Sequence, residues 1–209
     1  MFEIKLHQVG KRFNRDWIFQ NWDAQLSSTS AYVILGGNGS GKSTALRTLL
    51  GYAPVTQGAI TYHLDGKEIA RTDIYRYFSF CSPYLELYEE LTLSEMARFH
   101  FSLKPAFAEM TLDTFPARIQ LEKSADKQVK YFSSGMKQRL RLGLALFSNT
   151  RGVFLDEPIS NLDRAGIEWY QSIVAEMRKD RLIIVASNNQ GEEYQFCDQK
   201  IHIEEFKPL

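Results

Sequence analysis

Cysteine is almost missing from this 209-residue chain: Cys81 and Cys197 are the only two, far apart and without ligand partners at metal spacing. That excludes a disulfide framework or a zinc site as an organising device, and predicts two buried, reduced thiols in a cytosolic protein. An excess of one charge is missing too, since 25 basic residues balance 25 acidic ones. With no overall field and no obvious basic patch, nucleic acid is not an expected partner. Long apolar runs are absent. Leu182-Ile183-Ile184-Val185-Ala186 falls far short of the about 20 residues that a membrane-spanning helix needs, so any membrane part is expected in a separate polypeptide. The start, Met1-Phe2-Glu3-Ile4-Lys5, lacks a basic region leading into an apolar one and reads as a strand, not a signal peptide.

What the chain does have is 44% hydrophobic residues, enough for a large core. Short β-rich runs at 2–6, 31–35, 59–63, 77–80, 152–155, 182–187 and 200–203 alternate with helical patterns. Such alternation predicts an α/β fold around a mostly parallel sheet. From about 84 to 130 the apolar residues fall at helical intervals, which predicts an inserted helical segment punctuated by Pro105 and Pro116.

Gly36-Gly37-Asn38-Gly39-Ser40-Gly41-Lys42-Ser43 fits G-x-x-x-x-G-K-[ST], directly after the apolar run 31–35 and before a helical stretch, 44–50, closed by Gly51 and Pro54. Chance would produce the four fixed positions in roughly one chain per hundred of this length, and the strand-loop-helix setting makes an accidental match rarer. Glycines let successive amides turn toward phosphates, and the helix points its positive end at the same anion. The predicted nucleotide-binding set is Gly36, Asn38, Gly39, Ser40, Gly41, Lys42, Ser43 and Thr44. In it Lys42 meets the β- and γ-phosphates and Ser43 ligates Mg²⁺.

The apolar run 152–155 ends in Asp156-Glu157-Pro158. Side chains alternate along a strand, so the two acids receive different tasks: Asp156 for Mg²⁺, Glu157 as general base for the attacking water. Alone, Asp-Glu-Pro would more often cap the next segment; the phosphate loop in the same chain reverses that preference. Ser133 and Ser134 precede an apolar helical stretch and read as its N-cap, a place where hydroxyls and free amides can hold a second anion.

In order and spacing these elements resemble the ATP-binding cassette family: phosphate loop, helical insertion, Phe132-Ser133-Ser134-Gly135-Met136 where that family has Leu-Ser-Gly-Gly-Gln, the acid pair, then Ser160-Asn161-Leu162-Asp163. The resemblance implies one P-loop NTPase domain over 1–209, with 1–83 and 131–209 forming a RecA-like core with an antiparallel β part, and 84–130 inserted. It also implies ATP and Mg²⁺ as cofactors. Two cassettes, identical or homologous, would pack head to tail, with Ser133, Ser134 and Gly135 closing on the partner's ATP and Asp163 communicating across the interface. Phe13 matches the aromatic on which adenine stacks, Trp17 being a second candidate, and a core role for Phe13 is equally open. The membrane-spanning permease would dock near the Tyr84–Leu91 stretch, placing the chain in the cytoplasm at the membrane. No regulatory domain is expected after the last strand, which leans toward an exporter-type system.

Two departures stand out. The family's glutamine at the head of the insertion falls on Ser82 or Pro83, and its histidine after the 182–187 strand becomes Asn188. Asn188 donates a hydrogen bond but cannot shuttle protons, so hydrolysis slower than in an intact-motif cassette is expected, with binding preserved.

Overall fold

Two sheets share the chain in a computed structural model that describes residues 1–208. The first is antiparallel, ordered β2-β1-β4-β5, from β1 (Phe2–Phe13), β2 (Asp16–Ser27), β4 (Gln57–Leu64) and β5 (Lys67–Ile69). The second is parallel, ordered β6-β7-β8-β3-β9, from β3 (Ala31–Leu35), β6 (Phe78–Cys81), β7 (Gly152–Asp156), β8 (Leu182–Ser187) and β9 (Gln199–His202).

In β3, β7 and β8 every residue is buried, the expected state of parallel strands covered on both faces. Alternation then sorts their side chains into two cores. Tyr32, Ile34, Phe154, Ile184 and Ala186 face the antiparallel sheet and α1 (Lys42–Leu49). Val33, Leu35, Leu155, Ile183 and Val185 face α4 (Ser134–Phe147) and α5 (Arg164–Met177). Gly143 lies where α4 is crossed closely: a Cβ there would stand 2.3 Å from Ile119 Cγ2.

The antiparallel sheet exceeds the sequence expectation, which stopped its first strand at residue 6 and missed β2 and β5. The reason in β2 is visible. Its fully buried residues are Phe19, Trp22 and Leu26, spaced three and four apart as on a helix. Register shifts between Leu6 and Lys11 and left-handed backbone at Gln8 and Asn21 break the two-residue alternation that marks a strand.

Between β6 and α4 the chain holds α2 (Leu93–Leu103), the short α3 (Phe115–Arg118) and single 3-10 turns at Glu122–Ser124 and Val129–Tyr131. The α2 start is a full capping box, in which Thr92 accepts from the Glu95 amide and Glu95 from the Thr92 amide. Where α4 ends, Arg181 is 4% exposed and its guanidinium donates to the carbonyls of Leu146, Ser148, Thr150 and Met177. A cation is favoured at a helix C-terminus, so Arg181 ties the end of α4 to the start of β8. Among the described residues no helix is long and apolar enough to cross a membrane. Cys81 is buried as expected, whereas Cys197 is only partly so, because it lies in the loop before edge strand β9; burial pushes both thiols up to about 12.

Candidate functional site

The phosphate loop spans 36–43 between the C-terminal end of β3 and the first turn of α1. Gly41 holds φ 107, and a Cβ there would stand 2.3 Å from Ile18 Cγ2, so only glycine fits. Gly37 and Gly39 face open space on the other side of the loop. Lys42 is 5% exposed and donates to the loop's own carbonyls, Gly36 O at 3.0 Å and Gly37 O at 2.9 Å. Its ammonium thus rests on loop carbonyls, with no carboxylate bound to it among the described residues. Ser40 Oγ is buried without a hydrogen-bond partner among the described residues. A buried cation and an orphaned hydroxyl beside an open glycine loop fit a triphosphate.

β7 delivers the acid pair next to that loop. Asp156 is 1% exposed and accepts from the Ser43 hydroxyl at 3.0 Å, 113 residues away in sequence. Burial raises its pKa above the usual carboxylate range; the Ser43 hydroxyl, Arg47 and Lys42 pull it back, while Glu157 pushes it up. The second oxygen of Asp156 faces the Ser82 hydroxyl at 3.5 Å. Of the two residues the sequence left open, Ser82 is therefore the one inside the site, 1% exposed. Pro83 follows it, only partly buried. Two serine hydroxyls and one carboxylate are oxygen donors of the kind a hard divalent cation takes.

Glu157 is half-buried and its amide donates to Ala186 O of β8 at 3.0 Å. Two residues past Ala186 comes Asn188, whose Oδ1 is buried without a partner among the described residues. Lys42, Ser43, Ser82, Asp156, Glu157 and Asn188 are thus gathered at the C-terminal ends of neighbouring strands β3, β8, β7 and β6, where open parallel sheets place ligands.

The remaining expected residues lie apart from this group. Ser133 caps α4, accepting from the Met136 amide at 3.2 Å, with Ser134 exposed beside it. Gly135 passes so close to the 157–163 turn that a Cβ would stand 2.9 Å from Asn161 O. Asp163 caps α5 through the Gly166 amide at 2.8 Å and meets Arg139 at 3.3 Å. Phe13, at the tip of the β1–β2 hairpin, is 51% exposed with Lys11 Nζ 4.7 Å from its ring centroid, which overturns a core role for it. Trp17 is partly buried under Arg12.

Sequence reasoning missed Gln138, fully buried on α4, whose side-chain amide donates to Pro158 O at 2.8 Å and so ties that helix to the acid pair. A polar residue on the apolar stripe of α4 was the available signal.

A glycine phosphate loop, a serine at the start of α1 bonded to an aspartate at the end of β7 and a parallel sheet of this order define the P-loop ATPase class. The ABC transporter family model matches residues 19–160, more than half of the chain, and the chain belongs to that family. The lantibiotic transport ATP-binding protein SrtF of Streptococcus pyogenes is 27% identical over 186 residues, 89% of this chain and 80% of that protein. The mouse phospholipid-transporting ATPase ABCA3 is 28% identical over 88% of this chain, which spans only 11% of that larger protein. Among solved structures, a putative ABC transporter ATP-binding protein of Pyrococcus furiosus superposes with TM-score 0.82 at 16% identity, covering 99% of this chain and all of that one. A dimeric bacterial ABC transporter cassette gives TM-score 0.80 at 20% identity over 96% and 94% of the two chains, a likeness of fold. The α/β cassette fold read from the sequence holds.

Proposed function

We propose that this chain is the ATP-binding and ATP-hydrolysing subunit of an ABC transporter, working as a head-to-tail dimer that powers a separate membrane-spanning subunit. The observation that carries the reading is the Ser43–Asp156 hydrogen bond beside the Lys42-centred loop, since these groups serve no packing purpose that apolar residues would not serve better. Residues 1–209 act as one cassette with 84–130 as its insert.

In this reading the amides of 36–44 and Lys42 hold the triphosphate, Ser43 and Asp156 hold Mg²⁺, and Phe13 stacks on adenine. Bound Mg²⁺ supplies charge that offsets the phosphate oxygens. Glu157 orients a water and takes its proton, and Asn188 donates to the γ-phosphate. Ser133 and Ser134 are exposed and Gly135 is half-buried at the N-terminus of a four-turn helix, where they can meet the partner cassette's nucleotide.

The permease reading is supported by the surface around Tyr84–Leu91. Tyr84 and Tyr88 are 78% and 62% exposed, Leu85 is exposed and only Leu87 is buried. Beside them, Leu85 and Leu87 line a groove of about 180 Å³ together with Phe80, Met96 and His100. Aromatic patches of this kind mark interaction sites. Location at the cytoplasmic face of a membrane follows from this partner. SrtF carries lantibiotic transport in its name, which agrees with a transport role of some kind.

A second reading is favoured by Ser82 and Asn188: a nucleotide-gated module that binds ATP and dimerises but hydrolyses slowly. Titration calorimetry with Mg-ATP, ATP-induced dimerisation of Glu157→Gln and phosphate release separate the two. Saturable binding, dimerisation and release together support the motor. Binding and dimerisation with hardly any release support the module, and no saturable binding removes both.

A further inference from the structure

Gln138 shares the buried stripe of α4 with Leu142 and Ala145 and is 0% exposed. A glutamine at that depth has given up its water for whatever the protein offers instead. Its Oε1 gains nothing, having no hydrogen-bond partner among the described residues. Packing alone therefore explains the residue poorly, and the gain lies with Nε2. That group donates a full hydrogen bond to Pro158 O at 2.8 Å and a weak one to Cys81 Sγ at 3.9 Å. Cys81 ends β6 directly before Ser82, and Pro158 directly follows Glu157. One side-chain amide thus bridges the two strand ends that supply the acid pair and the serine beside it.

The turn that Gln138 reaches is strained. Glu157 has φ 43, a left-handed conformation that a non-glycine residue keeps only where its surroundings over-determine it. Backbone partners meet most of the turn: the Glu157 amide donates to Ala186 O at 3.0 Å, Glu157 O accepts from the Ser160 amide at 3.1 Å, and Ile159 O accepts from the Leu162 amide at 3.0 Å. Pro158 O lies between the last two, and among the described residues no backbone amide donates to it. Pro158 is buried, so an unmet carbonyl there is costly, and Gln138 is the donor that meets it. Ala186 thus fixes the peptide before Glu157, the proline ring fixes the φ that follows, and Gln138 fixes the peptide after Pro158. Relaxation of the Glu157 backbone is resisted from both sides.

We propose that Gln138 is a positioning residue for ATP hydrolysis: by donating to Pro158 O it holds the strained turn that aims Glu157 at the attacking water. This rests on the reading of Glu157 as general base. The Gln138 amide is spent on Pro158 and Cys81, so it acts through Glu157 and not on the nucleotide itself.

The test is Gln138→Met in the full chain, because methionine keeps the length and bulk of the side chain, loses the donor and removes the unpartnered oxygen with it. Parent and Glu157→Gln backgrounds are compared by ATP affinity, single-turnover hydrolysis of radiolabelled ATP and the NMR shift of the Pro158 carbonyl carbon. With Glu157 present, hydrolysis should slow at least about tenfold, as a misaimed general base does. ATP affinity should stay within about twofold, since the phosphate loop is untouched. In the Glu157→Gln background the same substitution should change the residual rate by less than about twofold, because no base is left to misaim. The Pro158 carbonyl shift should move in both backgrounds. Parent-like hydrolysis in Gln138→Met overturns the proposal, and so does an unmoved Pro158 carbonyl. An equal loss of rate with and without Glu157 overturns it too, since a merely structural role produces that result. Gln138→Leu decides by the same readings if Gln138→Met does not fold, and unfolding of both would assign the glutamine to the fold instead. A parent protein that binds ATP and hydrolyses none would remove the base role of Glu157, and the Pro158 shift would still decide whether Gln138 holds the turn.

Discussion

The Ser82 hydroxyl stands 3.5 Å from Asp156 Oδ2, on the carboxylate oxygen that Ser43 leaves free. Ser82→Ala removes one of two hydroxyls around a buried acid. The expected result is Mg²⁺ dependence of ATP binding shifted several-fold to higher Mg²⁺, about 1 kcal/mol of one hydrogen bond, with metal-free nucleotide affinity unchanged. Unchanged Mg²⁺ titration curves would remove Ser82 from the metal site.

Lys42→Ala and Glu157→Gln should separate binding from chemistry. The first loses the only full positive charge in the loop and should weaken ATP at least about tenfold, since charge-assisted contacts are worth about 1.5–3 kcal/mol. The second keeps shape and binding but removes the base, so phosphate release should fall by about 10²–10⁴. Calorimetry and a phosphate assay on both variants check the pair.

Asn188→Ala should lower phosphate release with ATP affinity retained, and Asn188→His should raise it above the parent. The imidazole can both donate and titrate near neutral pH, which the amide cannot. Equal turnover in all three proteins would mean that the position does not touch the γ-phosphate.

Stability should fall in acid through His100. Burial first, then the Lys104 charge, lower its pKa to about 4, with Leu144 pulling slightly the other way and Ser148 Oγ 3.0 Å from Nε2. Folded His100 stays neutral while the unfolded chain protonates below about 6.5, so stability is fully present above that pH and is lost as pH drops toward 4. The window is worth at most about 3 kcal/mol at about 1.4 kcal/mol per pKa unit. Urea unfolding of the parent and His100→Gln at pH 7 and pH 5 should show the parent losing more.

Arg181→Lys should destabilise by about 2–4 kcal/mol, because a lysine reaches one or two of the carbonyls that the guanidinium fork spans and leaves the others buried and unmet. Equilibrium unfolding measures it, and a change below about 0.5 kcal/mol would mean that water replaces the fork.

The phosphate loop, the Asp156-Glu157 ending and the cap at Ser133 were legible in the sequence because each is contiguous. Strand, glycine turn and helix start follow one another along the chain, and local backbone geometry needs nothing from elsewhere. The bounds of β3 and β8 follow for the same reason. What only the tertiary structure decided is every relation across long sequence gaps. Bulges hid β2; Ser82 was separated from Pro83 only by the 74-residue reach to Asp156. Nothing along the chain marks Arg181 or Glu193 as buried, yet packing closes over both. Burial and through-space partners set the energy of a polar group, and neither is written in its neighbours along the chain.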